Sequence, residues 1–128
     1  MTLQTGQKEL ALQTIAMPKD ANANGDIFGG WLVSQMDLAC GVTARKIAQG
    51  RVVTVSIDTM TFLVPVKIGA IISCYTIIEK IGHSSMKMKI EVCSLFPEKE
   101  KSTEVKVTEG TFTFVAIDNN GKSRPIMH

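Results

Sequence analysis

One carboxylate in this 128-residue chain sits where chemistry could be done. From Gly29-Gly30 to about Gln49 the apolar residues recur at helical spacing. On a wheel of about 100° per residue, Asp37 falls inside the apolar arc, beside Val33, Gly41, Ala44 and Ala48. An isolated ionised carboxylate there costs several kcal/mol unless it is hydrogen-bonded or faces a wet cleft. Two uses follow. Asp37 serves as a general base or nucleophile toward such a cleft, or it pairs with a helix or loop donor and only anchors a dimer. Gly41, one turn on, removes a side chain beside it and leaves room for a ligand.

The segment before the helix carries the complementary groups. Gly25, Gly29 and Gly30 permit close backbone approach. Unpaired N–H groups near Gly30 and Trp31, at the helix start, suit a carbonyl oxygen that develops negative charge. Asn22 and Asn24 are amides able to hold a water or a carbonyl, while Asp20, Asn22, Asn24 and Asp26 also have the composition of a turn with caps. Asn24 and Asp26 fit the turn role better.

The elements that must position these groups can be read in order. Glu9 to Met17 is a short strand, and Pro18 to Asp26 is a turn region dense in Pro, Asn, Asp and Gly. The long helix follows, with Gly50 as its stop. The period then changes to two. Val53, Val55 and Ile57 alternate with Thr54, Ser56 and Asp58; Ala70 to Lys80 is rich in Ile; Met86, Met88, Ile90 and Val92 alternate with Lys87, Lys89 and Glu91. Val105 to Ile117 is the last strand, and Gly110 inside it suggests a bulge or bend. Strands joined by tight turns make an antiparallel sheet, so the class is α+β, with one helix lying across a curved sheet. Leu32, Val33, Met36, Ala39, Cys40, Thr43, Ala44 and Ile47 form a wide apolar arc, and Trp31, Leu38 and Val42 interrupt the opposite half. A helix apolar over most of its circumference needs more cover than one sheet provides, which predicts a homo-oligomer.

Composition narrows the function classes. The length fits a single domain over residues 1–128. Hydrophobic residues are 45% and charged residues 20%, which places the chain among globular proteins. A net charge of +2, evenly spread, argues against nucleic acid or an anionic membrane as partner. No run approaches the roughly 20 apolar residues of a membrane span. Met1 to Glu9 is polar and lacks an apolar signal core, so a cytoplasmic location is expected. Cys40, Cys74 and Cys93 show no metal or CxxC spacing and read as buried, reduced thiols; no metal site is expected. His83, in a turn, and His128, at the C-terminus, read as solvent-facing.

Asp20-Ala21-Asn22-Ala23-Asn24-Gly25-Asp26-Ile27-Phe28-Gly29-Gly30-Trp31 with Ser34-Gln35-Met36-Asp37 closely resembles the hotdog-fold acyl-CoA thioesterases, nearest the YciA-type branch related to brain acyl-CoA hydrolase. The likeness continues through Arg51-Val52-Val53-Thr54-Val55, Phe62 with Pro65-Val66, Gly82 with Ser84-Ser85, and Phe112-Thr113-Phe114-Val115-Ala116. The resemblance implies a hotdog fold, a long central helix wrapped by a curved antiparallel sheet of about five or six strands. It implies hydrolysis of acyl-CoA to free CoA and a carboxylic acid, as in fatty acid metabolism, with CoA thioester as substrate and no cofactor. It implies active sites at a dimer interface, in dimers or trimers of dimers. The family's catalytic Asp and Asn fall on Asp37 and Asn22, and its oxyanion turn on Gly29, Gly30 and Trp31.

A thioester carbonyl needs an electrophilic cradle and an activated nucleophile. Asp37 could activate water or attack directly to form a mixed anhydride, and Asn22 would position the water or the carbonyl. The phosphates of CoA call for cations and N–H donors. Candidates are Arg51, the Gly82-His83-Ser84-Ser85 turn, Lys87, Lys122 and Arg124. Two alternatives remain. A hotdog dehydratase needs a His beside a carboxylate, and neither histidine lies near the helix. A non-catalytic acyl-CoA-binding sensor needs an output module, and only about eight residues precede the first strand.

Overall fold

The computed structural model describes residues 4–99 and 103–126. In chain order the elements are β1 (Lys8–Ile15), α1 (Gly29–Ala48), β2 (Val52–Phe62), β3 (Ile71–Ile81), β4 (Ser85–Leu95) and β5 (Val105–Ala116). The strands form one antiparallel sheet in the order β1-β3-β4-β5-β2. All five strands touch α1. Five strands at about 4.8 Å spacing would outreach a helix about 10 Å wide if the sheet were flat, so it curls around α1. This is the α+β hotdog arrangement, with five strands.

Burial explains why the helix and sheet adhere. Met86, Met88, Ile90 and Val92 of β4 and Phe112 and Ala116 of β5 are fully buried against Met36, Cys40 and Ala44 of α1. Each large apolar side chain moved out of water contributes about 1.5–3 kcal/mol before entropy is counted. Cys40, Cys74 and Cys93 are free and buried, as expected. His128 lies outside the described residues.

Two local expectations change. Gly50 is not the helix stop: Gln49 takes the left-handed conformation, at φ 54°. Gly50 instead leaves room for the Arg124 guanidinium, since a Cβ there would lie 2.8 Å from Nη2. That guanidinium donates to the Ala48 carbonyl at 2.9 Å and, through Nε, to the Ile117 carbonyl at 3.0 Å. Arg124 thus satisfies an orphan carbonyl at the negative end of the helix. Arg124→Ala is expected to cost about 2 kcal/mol, or about 8 °C in Tm for a chain of this size, read by thermal denaturation. An unchanged Tm would show that the capping contact carries no stability.

Gly110 itself pairs regularly with Ile90. The bulge lies across the ladder on β2, where the register shifts between Asp58 and Thr61. Thr59 there has φ 53°, which is strained for a β-branched residue. The bulge sets Met60 against Gly110, where a Cβ would meet the Met60 sulfur at 3.2 Å. Gly110 is therefore a packing gap for Met60.

Candidate active site

β2 turns Thr54 toward the helix, in register with the buried Phe114, before its register shifts between Thr54 and Ser56. Thr54 and Ser56 are half-buried, whereas Val53, Val55 and Ile57 are exposed. The reason lies on α1: Thr54 Oγ1 donates to Asp37 Oδ1 at 2.6 Å. Asp37 is half-buried, at the margin of the buried helix face between Ala44 and Ala48. One carboxylate oxygen is thereby oriented, and the side chain retains access to solvent. Thr54 was not among the residues expected to act. Its signal was the polar residue at each alternate position of a strand whose other positions are apolar.

The loop before the helix is tied by its own side chains. Asn22 Oδ1 accepts the N–H groups of Asn24 at 2.9 Å and Asp26 at 3.1 Å. The Asn22 N–H donates to the Asp26 carbonyl at 2.7 Å, and Gly25 closes the turn at φ 82°. Asp26 pairs with Lys67. Asp20 pairs with Lys19 at 3.0 Å, and its carbonyl accepts the Phe28 N–H at 3.0 Å. With its oxygen committed to two backbone donors, Asn22 offers only the N–H groups of its amide outward. No hydrogen bond among the described residues joins Asn22 to Asp37.

The helix start is left open. Its N-cap is Phe28, with no side-chain cap and no acidic residue in the first turn. The N–H groups of Trp31 and Leu32 both reach the Phe28 carbonyl, at 3.1 and 3.3 Å. Trp31 therefore supplies no free donor, contrary to expectation, and the first turn offers Gly29 and Gly30 instead. A Cβ on Gly30 would meet nothing within 4 Å. The Phe62 ring lies 3.4 Å from where a Cβ on Gly29 would be.

The basic candidates gather elsewhere. Ser85 and Val53 both pair with Val115, so the Gly82–Ser85 turn and the start of β2 share one end of the sheet. Exposed Arg51 donates to the Asn119 carbonyl at 3.2 Å, and Lys122 is exposed on the following turn. Gly82 donates to the Ser85 carbonyl at 2.8 Å, and Ser84 accepts from Ala116 at 2.9 Å. Lys87 is exposed on β4, and Arg124 is spent on the helix carbonyl already described. This end lies at the C-terminus of α1, about 30 Å of helix from Gly29. The structure thus brings Asp37 to Thr54 and Gly29 to Phe62; the Gly29 end is far from the basic cluster, whereas Thr54 follows Arg51 by three residues, about 10 Å of strand.

The thiols do not compete as nucleophiles. Burial, and then the charge of Asp37, push the Cys40 thiol far up, and burial pushes Cys74 up to about 12. Both stay protonated near neutrality. No helix among the described residues is long and apolar enough to cross a membrane.

The thioesterase superfamily model matches residues 24–99, which include Gly25, Gly29 and Gly30, the whole of α1 and the strands β2, β3 and β4. The chain belongs to the thioesterase superfamily. It is 51% identical over 118 residues to an uncharacterized acyl-CoA thioester hydrolase of Haemophilus influenzae, covering 91% of this chain and 77% of that protein. It is 49% identical over 126 residues to the acyl-CoA thioester hydrolase YciA of Salmonella typhimurium, covering 95% and 92%. Among solved structures, the hexameric thioesterase y2039 from Yersinia pestis superposes with a TM-score of 0.90 at 50% identity, covering 98% of this chain and 100% of that one. This chain is therefore a hotdog-fold member of the YciA-type branch.

Proposed function

We propose that this protein hydrolyses acyl-CoA thioesters to free CoA and a carboxylic acid, at sites shared between two copies of the chain. The observation that carries the chemistry is Asp37, held by Thr54 at 2.6 Å and open on its other side. Asp37 acts as general base or nucleophile. The Gly29 and Gly30 N–H groups receive the carbonyl oxygen as it becomes an oxyanion. Asn22 donates to the carbonyl or to the water. The CoA thioester enters as substrate, and the reaction needs no cofactor. The steady-state test is release of thiol from acyl-CoA, followed with a thiol reagent. Absence of release would leave the non-catalytic acyl-CoA-binding alternative.

Geometry supports the shared site. Gly30 and Asp37 are seven residues apart on α1, about 10 Å along the axis. First-turn N–H groups point away from the helix body, so an oxygen held there lies farther still from Asp37. A base acting through one water spans about 6 Å: one hydrogen bond and one attack distance. One chain's Asp37 therefore does not reach a carbonyl at its own helix start.

A two-fold axis removes the difficulty. β2 is a free sheet edge with exposed Val53, Val55 and Ile57, a liability that a second strand covers. Antiparallel pairing of two β2 strands about Ile57 sets Thr54 of one chain against Met60 of the other. Phe62, two residues on, lies beside Gly29. The same operation that covers the edge carries one chain's helix start toward the other's Asp37. The basic ends, with Arg51, Gly82, Ser84, Ser85, Lys87 and Lys122, remain the candidates for the CoA phosphates. We read the assembly as a dimer or a trimer of dimers in a cytoplasmic enzyme.

Two variants probe the proposed roles. Gly30→Ala should favour the helix by up to about 1 kcal/mol, yet lower kcat by about tenfold, because its methyl enters the open space at the N–H cradle. Higher Tm with lower kcat is the expected pair of readings; unchanged kcat would remove Gly30 from the site. Thr54→Val removes the donor while keeping shape. It should lower kcat by about tenfold at nearly constant KM, and Thr54→Ser should restore it. Equal loss in both variants would mean that Thr54 acts through packing.

A further inference from the structure

We infer that Lys67 is a positioning residue for the reaction: its ion pair with Asp26 fixes the direction in which the Asn22 amide points. This rests on the hydrolase reading, in which Asn22 donates to the carbonyl or to the water, and it names what aims that donor. Asn22 and Asp26 grip each other twice. The Asn22 N–H donates to the Asp26 carbonyl at 2.7 Å, and Asn22 Oδ1 accepts the Asp26 N–H at 3.1 Å. The side-chain amide therefore moves with the backbone of Asp26. Among the described residues, every hydrogen bond of Asn22 stays inside its own loop. Whatever holds Asp26 from outside the loop sets where the Asn22 N–H groups point.

That hold comes from the segment before β3. Asp26 and Lys67 face each other in an antiparallel bridge, and the next residue, Ile27, donates to the Val66 carbonyl at 2.9 Å. The Lys67 ammonium then takes the Asp26 carboxylate, a pairing between residues 41 apart in the chain. Lys67 is firmly placed. Its carbonyl accepts the Ala70 N–H at 3.3 Å, and the Ala16 N–H donates to the Ala70 carbonyl at 3.0 Å. Ala16, Val66 and Ala70 are buried. Position thus passes from a corner of the core through Lys67 and Asp26 to Asn22. The two charged side chains are 59% and 32% exposed, and an ion pair so placed adds little to global stability. Its use is aim, because a displacement of about 1 Å near the reacting atoms costs up to about 100-fold in rate.

The test is kcat at saturating acyl-CoA. Lys67→Glu sets a like charge against Asp26 and should lower kcat about tenfold, with KM and Tm close to wild type. Lys67→Arg should keep kcat, and exchanging the charges, Asp26→Lys with Lys67→Glu, should recover most of the loss. In an Asn22→Ala background Lys67→Glu should lower kcat no further, because the donor it aims is gone. An equal further loss there would overturn the inference, since Lys67 would then act through something other than Asn22. Should Lys67→Glu not fold, Lys67→Met removes only the charge and should lower kcat by up to about fivefold, the full weight of an exposed pair. A raised KM with unchanged kcat would also overturn it, making Lys67 a cation for the CoA phosphates. Active variants with wild-type kcat and KM would overturn the positioning role alone and leave the hydrolase reading standing. No thiol release by the wild-type protein from any acyl-CoA would overturn both.

Discussion

Asp37→Asn is expected to lower kcat at least about 100-fold, the lower end of what a general base contributes, with Tm within a few degrees of wild type. The amide keeps the size of the side chain, and its oxygen can still accept the Thr54 hydroxyl that lies at 2.6 Å from the carboxylate. What disappears is the basic oxygen. If the carboxylate only anchored the fold, the neutral isostere would leave turnover intact, or stability and activity would fall together. Measuring kcat and Tm on one preparation separates these outcomes. Asn22→Ala is the companion and differs in kind. Asn22 Oδ1 holds the N–H groups of Asn24 and Asp26, so its loss should loosen the loop as well as remove a donor. A normally melting Asp37→Asn enzyme with near wild-type kcat would sink the assignment. Asp26, paired with Lys67, would then be the next carboxylate to test.

The second large effect is expected at the edge of the sheet. Val55→Lys combined with Ile57→Lys changes two exposed residues, 54% and 44% accessible, that contact nothing essential within one chain. The isolated subunit should fold. Across an antiparallel two-fold about Ile57, however, the two lysines at position 57 lie directly opposite each other, with those at position 55 diagonal to them, and like charges directly opposite are destabilising. Sedimentation should show dissociation, and thiol release should fall more than about 100-fold, because Asp37 and the Gly29–Gly30 cradle are then on separate molecules. A dissociated variant with full activity would falsify the shared site. A variant that remains assembled and active would move the interface away from β2.

Much of this molecule is legible in its residues alone. The period-two runs of Met86 to Val92 and the Ile-rich stretch from Ala70 delimit strands within a few residues, because alternate side chains of a half-buried strand must alternate in polarity. The burial of Met36, Ala39, Cys40, Thr43 and Ala44 follows from spacing on a helix in the same way. Asp37 stands out because one charge in an apolar arc demands an explanation. Asn22, Gly29 and Gly30 stand out by residue type, and their roles by resemblance.

Tertiary structure decided what depends on a partner distant in sequence. Thr54 matters only because the sheet curls until β2 reaches Asp37, and neither residue's neighbours encode that contact. Arg124 was indistinguishable from a phosphate ligand until the C-terminal segment folded back onto Ala48. The bulge signalled by Gly110 sits on the opposite strand, since a gap in one strand is filled by its neighbour. Trp31 lost its place among the donors because the local hydrogen bond to Phe28 consumes its N–H. In each case residue type sets what a group can do, while the groups across the fold set which of those capacities is already used.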